Sequence, residues 1–309
     1  MFSAATYTGR RNSLKSKGLN GIAIFVGNNE SPMNYPDNTY HFRQDSNFLY
    51  FFGLDFPGLA AVIDFDNGVD HIFGDDATLA DVIWMGPQIP LKEKAAKVGV
   101  TKTVPYADFA NVIENAKKQG RTIHYLPPYR GDNKILIHEL LGIPVSQVQE
   151  KASLPLIKAV VSLRSVKDAG EITEIEKACA VGYQMHVTAM KMALPGEWEQ
   201  RIAGTIEGIA LSGGGSTAFP IILSQNGETL HNHNHSQLLE KGRLLITDAG
   251  AESALHYASD FTRTTPVGGK FTTKQREIYD IVLAANNTAT SLVKPGVTYL
   301  SLHLEVAKV

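Results

Sequence analysis

The 309-residue chain has a single cysteine, Cys179, so an intramolecular disulfide is excluded. It has no excess of either charge: Lys and Arg number 29, Asp and Glu 31, for a formal net charge of −2. Such a balance gives no bulk field to recruit nucleic acid or an anionic membrane. No run reaches the ~18 consecutive apolar residues of a membrane span, and MFSAATYTGRRNSLKSKGLNG at the start has no apolar signal core. The expectation is a soluble, cytoplasmic protein without nucleic-acid or membrane partners. Phosphate-binding loops are absent too. Gly213-Gly214-Gly215-Ser216 follows a helical pattern rather than a strand, and no dinucleotide fingerprint or P-loop is present.

What the chain does have is 43% hydrophobic residues, enough to bury a substantial core, and a length that suggests about two domains. Up to about residue 155, short strands and helices alternate, which favours an α/β layer. GIAIFVGN (21–28) reads as a buried strand. FLYFFGLDFPGLAAVIDFDNG (48–68) reads as two strands broken at Asp55-Phe56-Pro57-Gly58, with a turn at Asp66-Asn67-Gly68. TIHYLPP (122–128) reads as a strand and 107–120 as a helix.

After Lys151 the composition changes. A long helical stretch follows, with Ser165 and Asp168 spaced as a capping box. Ile172, Ile175, Cys179, Gly182, Met185, Ala189 and Met192 recur at three and four, so Cys179 reads as a buried, inert thiol. A second helix ends at the glycines near 213, strands follow near 219–223, 243–248 and 257–267, and a helix runs from about Thr273 to Val293. The predicted domains are therefore 1–155 and 156–309.

The chemistry-bearing stretch is LLITDAGAESALHYASDFTRTTPVGGKF. Asp248 and Asp260, 12 positions apart (260 − 248), end the two arms of what reads as one hairpin. Carboxylates on neighbouring strands, with Cβ atoms about 4.5–5.5 Å apart, repel unless a cation neutralises both. On spacing alone the pair reads either as solvated strand-end acids or as ligands of divalent metal. Upstream, His231, His233 and His235 occupy alternate positions. They project from one face if that segment is extended, or else form a polar loop.

GETLHNHNHSQLLEKGRLLITDAGAESALHYASDFTRTTPVGGKFTTKQREIYDIV resembles the first half of the catalytic domain of Xaa-Pro aminopeptidases (aminopeptidase P) and prolidases, the proline-specific pita-bread metallopeptidases. FRQDSNFLYFFG (42–53) and Trp84-Met85-Gly86-Pro87 resemble segments of their N-terminal domain, in the right order. The resemblance implies a creatinase-like α/β domain at 1–155, then a partial pita-bread α+β domain at 156–309. It implies two divalent ions, manganese in this branch, held by two Asp, one His and two Glu, with Asp248 and Asp260 matching the aspartates. It implies a proline-containing peptide as substrate and removal of its first residue. His231 matches a histidine that lies near the metals and contacts substrate. His233 and His235 match nothing functional. Trp84 matches a position that can, in family oligomers, reach a neighbouring subunit's proline pocket, and reads equally as an ordinary core or interface tryptophan; a homo-oligomer, dimer or tetramer, is expected. The remaining His and two Glu have no match within 1–309. The expectation is thus a fragment, inactive alone, of a protein about a hundred residues longer. Dipeptide-only prolidase activity, or a non-catalytic relative used for binding, are the competing readings.

Overall fold

Ile22–Val26 (β1) is buried on both faces because it lies within a mixed five-stranded sheet and is covered from both sides. The computed structural model describes residues 1–309, and these divide into two compact units, Met1–Gly170 and Glu171–Val309. In the first unit β1 is preceded by α1 (Ala4–Lys15) and followed by α2 (Ser46–Phe52), β2 (Ala60–Asp64) and β3 (Asp70–Phe73). Next come α3 (Leu79–Met85), α4 (Leu91–Ala96), β4 (Lys102–Val104), α5 (Phe109–Lys118), β5 (Ile123–Tyr125), α6 (Gly131–Leu141) and α7 (Leu154–Arg164). The strand order is β4-β3-β2-β1-β5; β1 runs antiparallel to β2 and parallel to β5. Period-two alternation divides the core. Ala23, Phe25, Ala61 and Ile63 join one buried cluster, whereas Ile22, Ile24, Ala60 and Val62 join the other.

Two sequence expectations change here. FLYFFG is a helix rather than a strand. The Asp45 carboxylate caps α2 by accepting from the amides of Asn47 and Phe48, and Gly53, at φ 61°, ends it in the left-handed region that suits glycine. Phe48, Phe51 and Phe52 are all buried, at about 1.5–3 kcal/mol each, which outweighs the β propensity of an aromatic run. The first unit also extends past the boundary expected near 155. Leu156, Ala159 and Val160 of α7 bury themselves in its core, so the division falls after Gly170. Ser165 caps the C-terminus of α7, its hydroxyl donating to Val161 O, instead of opening the next helix.

The second unit comprises α8 (Ala169–Met192, which begins just before it), α9 (Glu199–Ser212), β6 (Ile222–Ser224), β7 (Leu244–Ala249), β8 (Phe261–Pro266), α10 (Thr273–Leu292) and α11 (Tyr299–Val306). The sheet is antiparallel in the order β6-β7-β8. Leu245 and Ala249 of β7 pack with Met185, Ala189, Ile202 and Ile206 of α8 and α9. Leu244, Ile246 and Asp248 point to the opposite, more open face. In its first turns α8 buries Glu171 and Glu174 rather than the expected isoleucines. Ile172 is 48% exposed, and Cys179 is only half-buried. The acids turn inward because each has a partner there: the Tyr257 hydroxyl donates to Glu171 at 3.0 Å, and Glu174 bonds Ser253 and Lys177.

Candidate metal centre

The β7–β8 register fixes the two acids. Asp248 faces Thr262 and Ala249 faces Phe261; the same register continues to the bridge between Glu252 and Ala258, which puts Asp260 opposite Gly250. Asp248 and Asp260 therefore share a face as diagonal neighbours, a separation of about 7–8 Å for such pairs. They are not the directly opposed pair that the spacing suggested. Gly250 makes the close approach possible: a Cβ there would lie 1.7 Å from Ser259 O.

The hairpin that carries them closes through residues 253–257. Ser253 N donates to Tyr257 O and His256 N to Ser253 O, both at 2.8 Å. His256 takes a left-handed φ of 63°, a cost of order 1–3 kcal/mol offset in part by its 2.6 Å contact with Glu252. Tyr257 and Ser253 anchor this tip to α8 through Glu171 and Glu174. Burial alone would raise the Glu174 carboxyl, but its bonds to Lys177 and Ser253 prevail and hold it below the usual carboxylate range.

The residues fit a hard divalent cation in one specific respect. Asp248 Oδ1 is buried and has no hydrogen-bond partner. A desolvated carboxylate oxygen left unpaired is costly, and a metal ion, like an ordered water, would satisfy it. Asp260 offers an exposed carboxylate on the same face. No third His, Cys, Asp or Glu is grouped with them to complete a site.

The histidines separate. His231 and His233 are exposed, whereas His235 is half-buried and its Nδ1 lies 3.0 Å from Leu223 O, a backbone contact to β6. The segment bends through Asn232, which accepts from Asn234 N, and Asn234, which accepts from Ser236 N, so it is not an extended strand. Trp84 is 87% exposed on α3, a helix with no buried residue. Arg263 donates to Thr262 O.

Sequence reasoning missed His186 and Gly250. His186 is buried and bonds the backbone of Ala249, beside Asp248. Gly182, Met185 and Ala189 had marked that helix face, and His186 lies four residues beyond Gly182 on it.

Residues 7–124 match the model of the aminopeptidase P N-terminal domain, and residues 173–309 match that of metallopeptidase family M24. A probable Xaa-Pro aminopeptidase of Chaetomium globosum is 31% identical over 294 residues, which cover 94% of this chain and 48% of that protein. The Xaa-Pro aminopeptidase of Escherichia coli is 26% identical over 311 residues, covering 97% of this chain and 70% of the relative. The chain thus spans 48% to 70% of the length of these curated relatives. Among solved structures, the low-pH form of E. coli aminopeptidase P superposes with a TM-score of 0.85 at 26% identity, over 100% of this chain and 72% of that one. Proline aminopeptidase P II of Yersinia pestis superposes at 0.84 with 27% identity, over 99% and 73%.

Proposed function

Because the chain belongs to the aminopeptidase P and prolidase family of M24 metallopeptidases, we propose that the protein it represents is a manganese-dependent Xaa-Pro aminopeptidase. It would remove the first residue from peptides whose second residue is proline. The observation that carries this reading is the pair Asp248 and Asp260 on one sheet face, with Asp248 Oδ1 buried and unpartnered. These two carboxylates would hold the metal. When bound, divalent metal supplies Lewis-acid polarisation of the scissile carbonyl and an acidified water.

The chain's own residues do the rest of the work assigned here. Gly250 lets the strands close so that both acids present to one face. His231, exposed ahead of β7, is assigned to substrate contact, and its imidazole can donate or accept a proton near neutral pH. Trp84, exposed on α3, is assigned to the proline pocket of a neighbouring copy in a homo-oligomer, where its ring would cover the apolar pyrrolidine. A dedicated pocket is needed because the amide before proline lacks the N–H that ordinary peptidases use for recognition. A cytoplasmic location completes the reading.

Residues 1–309 alone hold two of the carboxylates and no third ligand grouped with them, so this stretch by itself should be inactive. The deciding assay uses the full-length protein with Mn²⁺ on an Xaa-Pro-Yaa tripeptide and an Xaa-Pro dipeptide. Release of the first residue from the tripeptide, lost in Asp260→Asn, supports the reading. Cleavage of the dipeptide alone would mark a prolidase, and no cleavage of either would reject both.

A further inference from the structure

We infer that His186 is a positioning residue for the Asp248–Asp260 pair, an inference that rests on the metal reading above. His186 sits on α8 and is only 4% exposed. Its Nε2 lies 3.0 Å from the carbonyl oxygen of Ala249, the residue after Asp248. A carbonyl can only accept, so Nε2 carries the proton and donates. The other ring nitrogen, Nδ1, is buried without a partner. An idle, desolvated nitrogen is unfavourable. An aliphatic side chain, such as Met185 next to it, would avoid that cost. The imidazole's compensating feature at this position is the bond to Ala249 O.

The same ring also reaches the second strand. It stands edge-on to Phe261, with centroids 6.0 Å apart and planes at 77°. Phe261 follows Asp260 and pairs with Ala249 across the ladder. One side chain therefore fixes the backbone just after one carboxylate and the ring just after the other. One helical turn earlier α8 comes as close as it can. A Cβ on Gly182 would lie 2.7 Å from Ser259 Oγ and 3.1 Å from the Phe261 ring.

The hairpin tip is tied to α8 separately, by Glu171 and Glu174. Loss of the His186 bond thus frees the strands locally while the helix stays docked. Ligand geometry tolerates only about 0.5 Å of displacement before affinity falls, so local freedom at Ala249 should appear as weaker cation binding.

The test compares parent, His186→Phe and His186→Gln in the full-length protein. Phenylalanine keeps a ring against Phe261 but has no donor; glutamine restores an N–H of similar reach. Free Mn²⁺ is measured by its electron paramagnetic resonance signal, and amide hydrogen exchange at Ala249 and Phe261 is measured without metal. The expected result is Mn²⁺ affinity about 10-fold weaker in His186→Phe, the scale seen when groups that orient metal ligands are removed. Exchange at the pair should be faster in that variant, with both readouts largely restored by His186→Gln. Parent-like binding or exchange in His186→Phe, or no restoration by His186→Gln, would overturn the inference. If the parent itself binds no Mn²⁺, the metal reading fails, and the exchange comparison alone then decides whether His186 orders the strands.

Discussion

Thr262, and not Asp260, lies directly across the β7–β8 ladder from Asp248. Like charges placed directly opposite on a sheet destabilise it by about 0.2–1 kcal/mol. Thr262→Asp should therefore lower the unfolding free energy of the metal-free full-length protein, read by urea denaturation, by that amount, and added Mn²⁺ should reverse the loss. A loss that Mn²⁺ leaves untouched would mean that this face does not hold cations.

Gly250 has no room for a methyl group, since a Cβ would lie 1.7 Å from Ser259 O and backbone cannot swing aside as a side chain can. Gly250→Ala should cost about 3 kcal/mol or more. Chemical denaturation reads this directly, and a neutral substitution would contradict the close pairing of Gly250 with Asp260.

In the first unit Arg11 is fully buried and every arm of its guanidinium is used. Nε donates to Asp70 at 2.8 Å, Nη1 to Phe51 O at 2.7 Å, and Nη2 to Val98 O and Gly99 O at 3.0 and 3.1 Å. Removing it leaves Asp70 with Lys15 alone, 2.8 Å away, and takes the donor from three carbonyls, so Arg11→Ala should cost about 3 kcal/mol. Arg11→Lys should recover less than half of that, because an ammonium cannot span four acceptors in a plane. Thermal unfolding of the pair of variants checks both statements.

His124 predicts a pH dependence. It is buried, Nε2 donates to Asn20 O at 3.0 Å, and Nδ1 lies 2.6 Å from the Ser153 hydroxyl. Burial lowers its pKa, against the opposing effect of the bond to Asn20. Between that lowered value and about 6.5 the unfolded chain binds the extra proton and the folded one does not. Stability of the first unit should thus be complete above about pH 6.5 and decline as pH falls toward the folded value, levelling off below it. His124→Gln should flatten that part of the profile relative to parent, although His71, also lowered chiefly by burial, will keep some slope. An unchanged profile would show that His124 is not its source.

Trp84→Ser should leave unfolding free energy within about 0.5 kcal/mol of parent, as expected for a side chain that is 87% exposed. If the assembly proposed above is right, light scattering should show a shift toward smaller species. A marked loss of stability without a change in assembly would place the tryptophan in the fold instead.

Much of the second unit was readable because its signals are local and agree with one another. Thr272 and Gln275 form a capping box that starts α10, and the aliphatic run Leu244, Leu245 and Ile246 announces β7 as a strand. α2 was misread because three phenylalanines look like a strand unless the Asp45 cap and Gly53 stop are weighed against them. The inward turn of Glu171 and Glu174 was invisible because their partners, Tyr257 and Ser253, lie about eighty residues downstream. The carboxylate pair was legible, its diagonal offset was not: an offset depends on how many residues the turn absorbs, and the turn is set by His256 in a left-handed conformation that is uncommon for any residue but glycine.

Residues 253–257 act as a spacer with an odd–even rule. Side chains on a strand alternate faces, so a single-residue insertion here has only two outcomes. The loop can swallow it, leaving the 248/262 pairing intact, or the returning strand slips by one and swings Asp260 to the helix-covered side. Length changes between the two acids are therefore harmless or ruinous according to where they are absorbed, whatever their size.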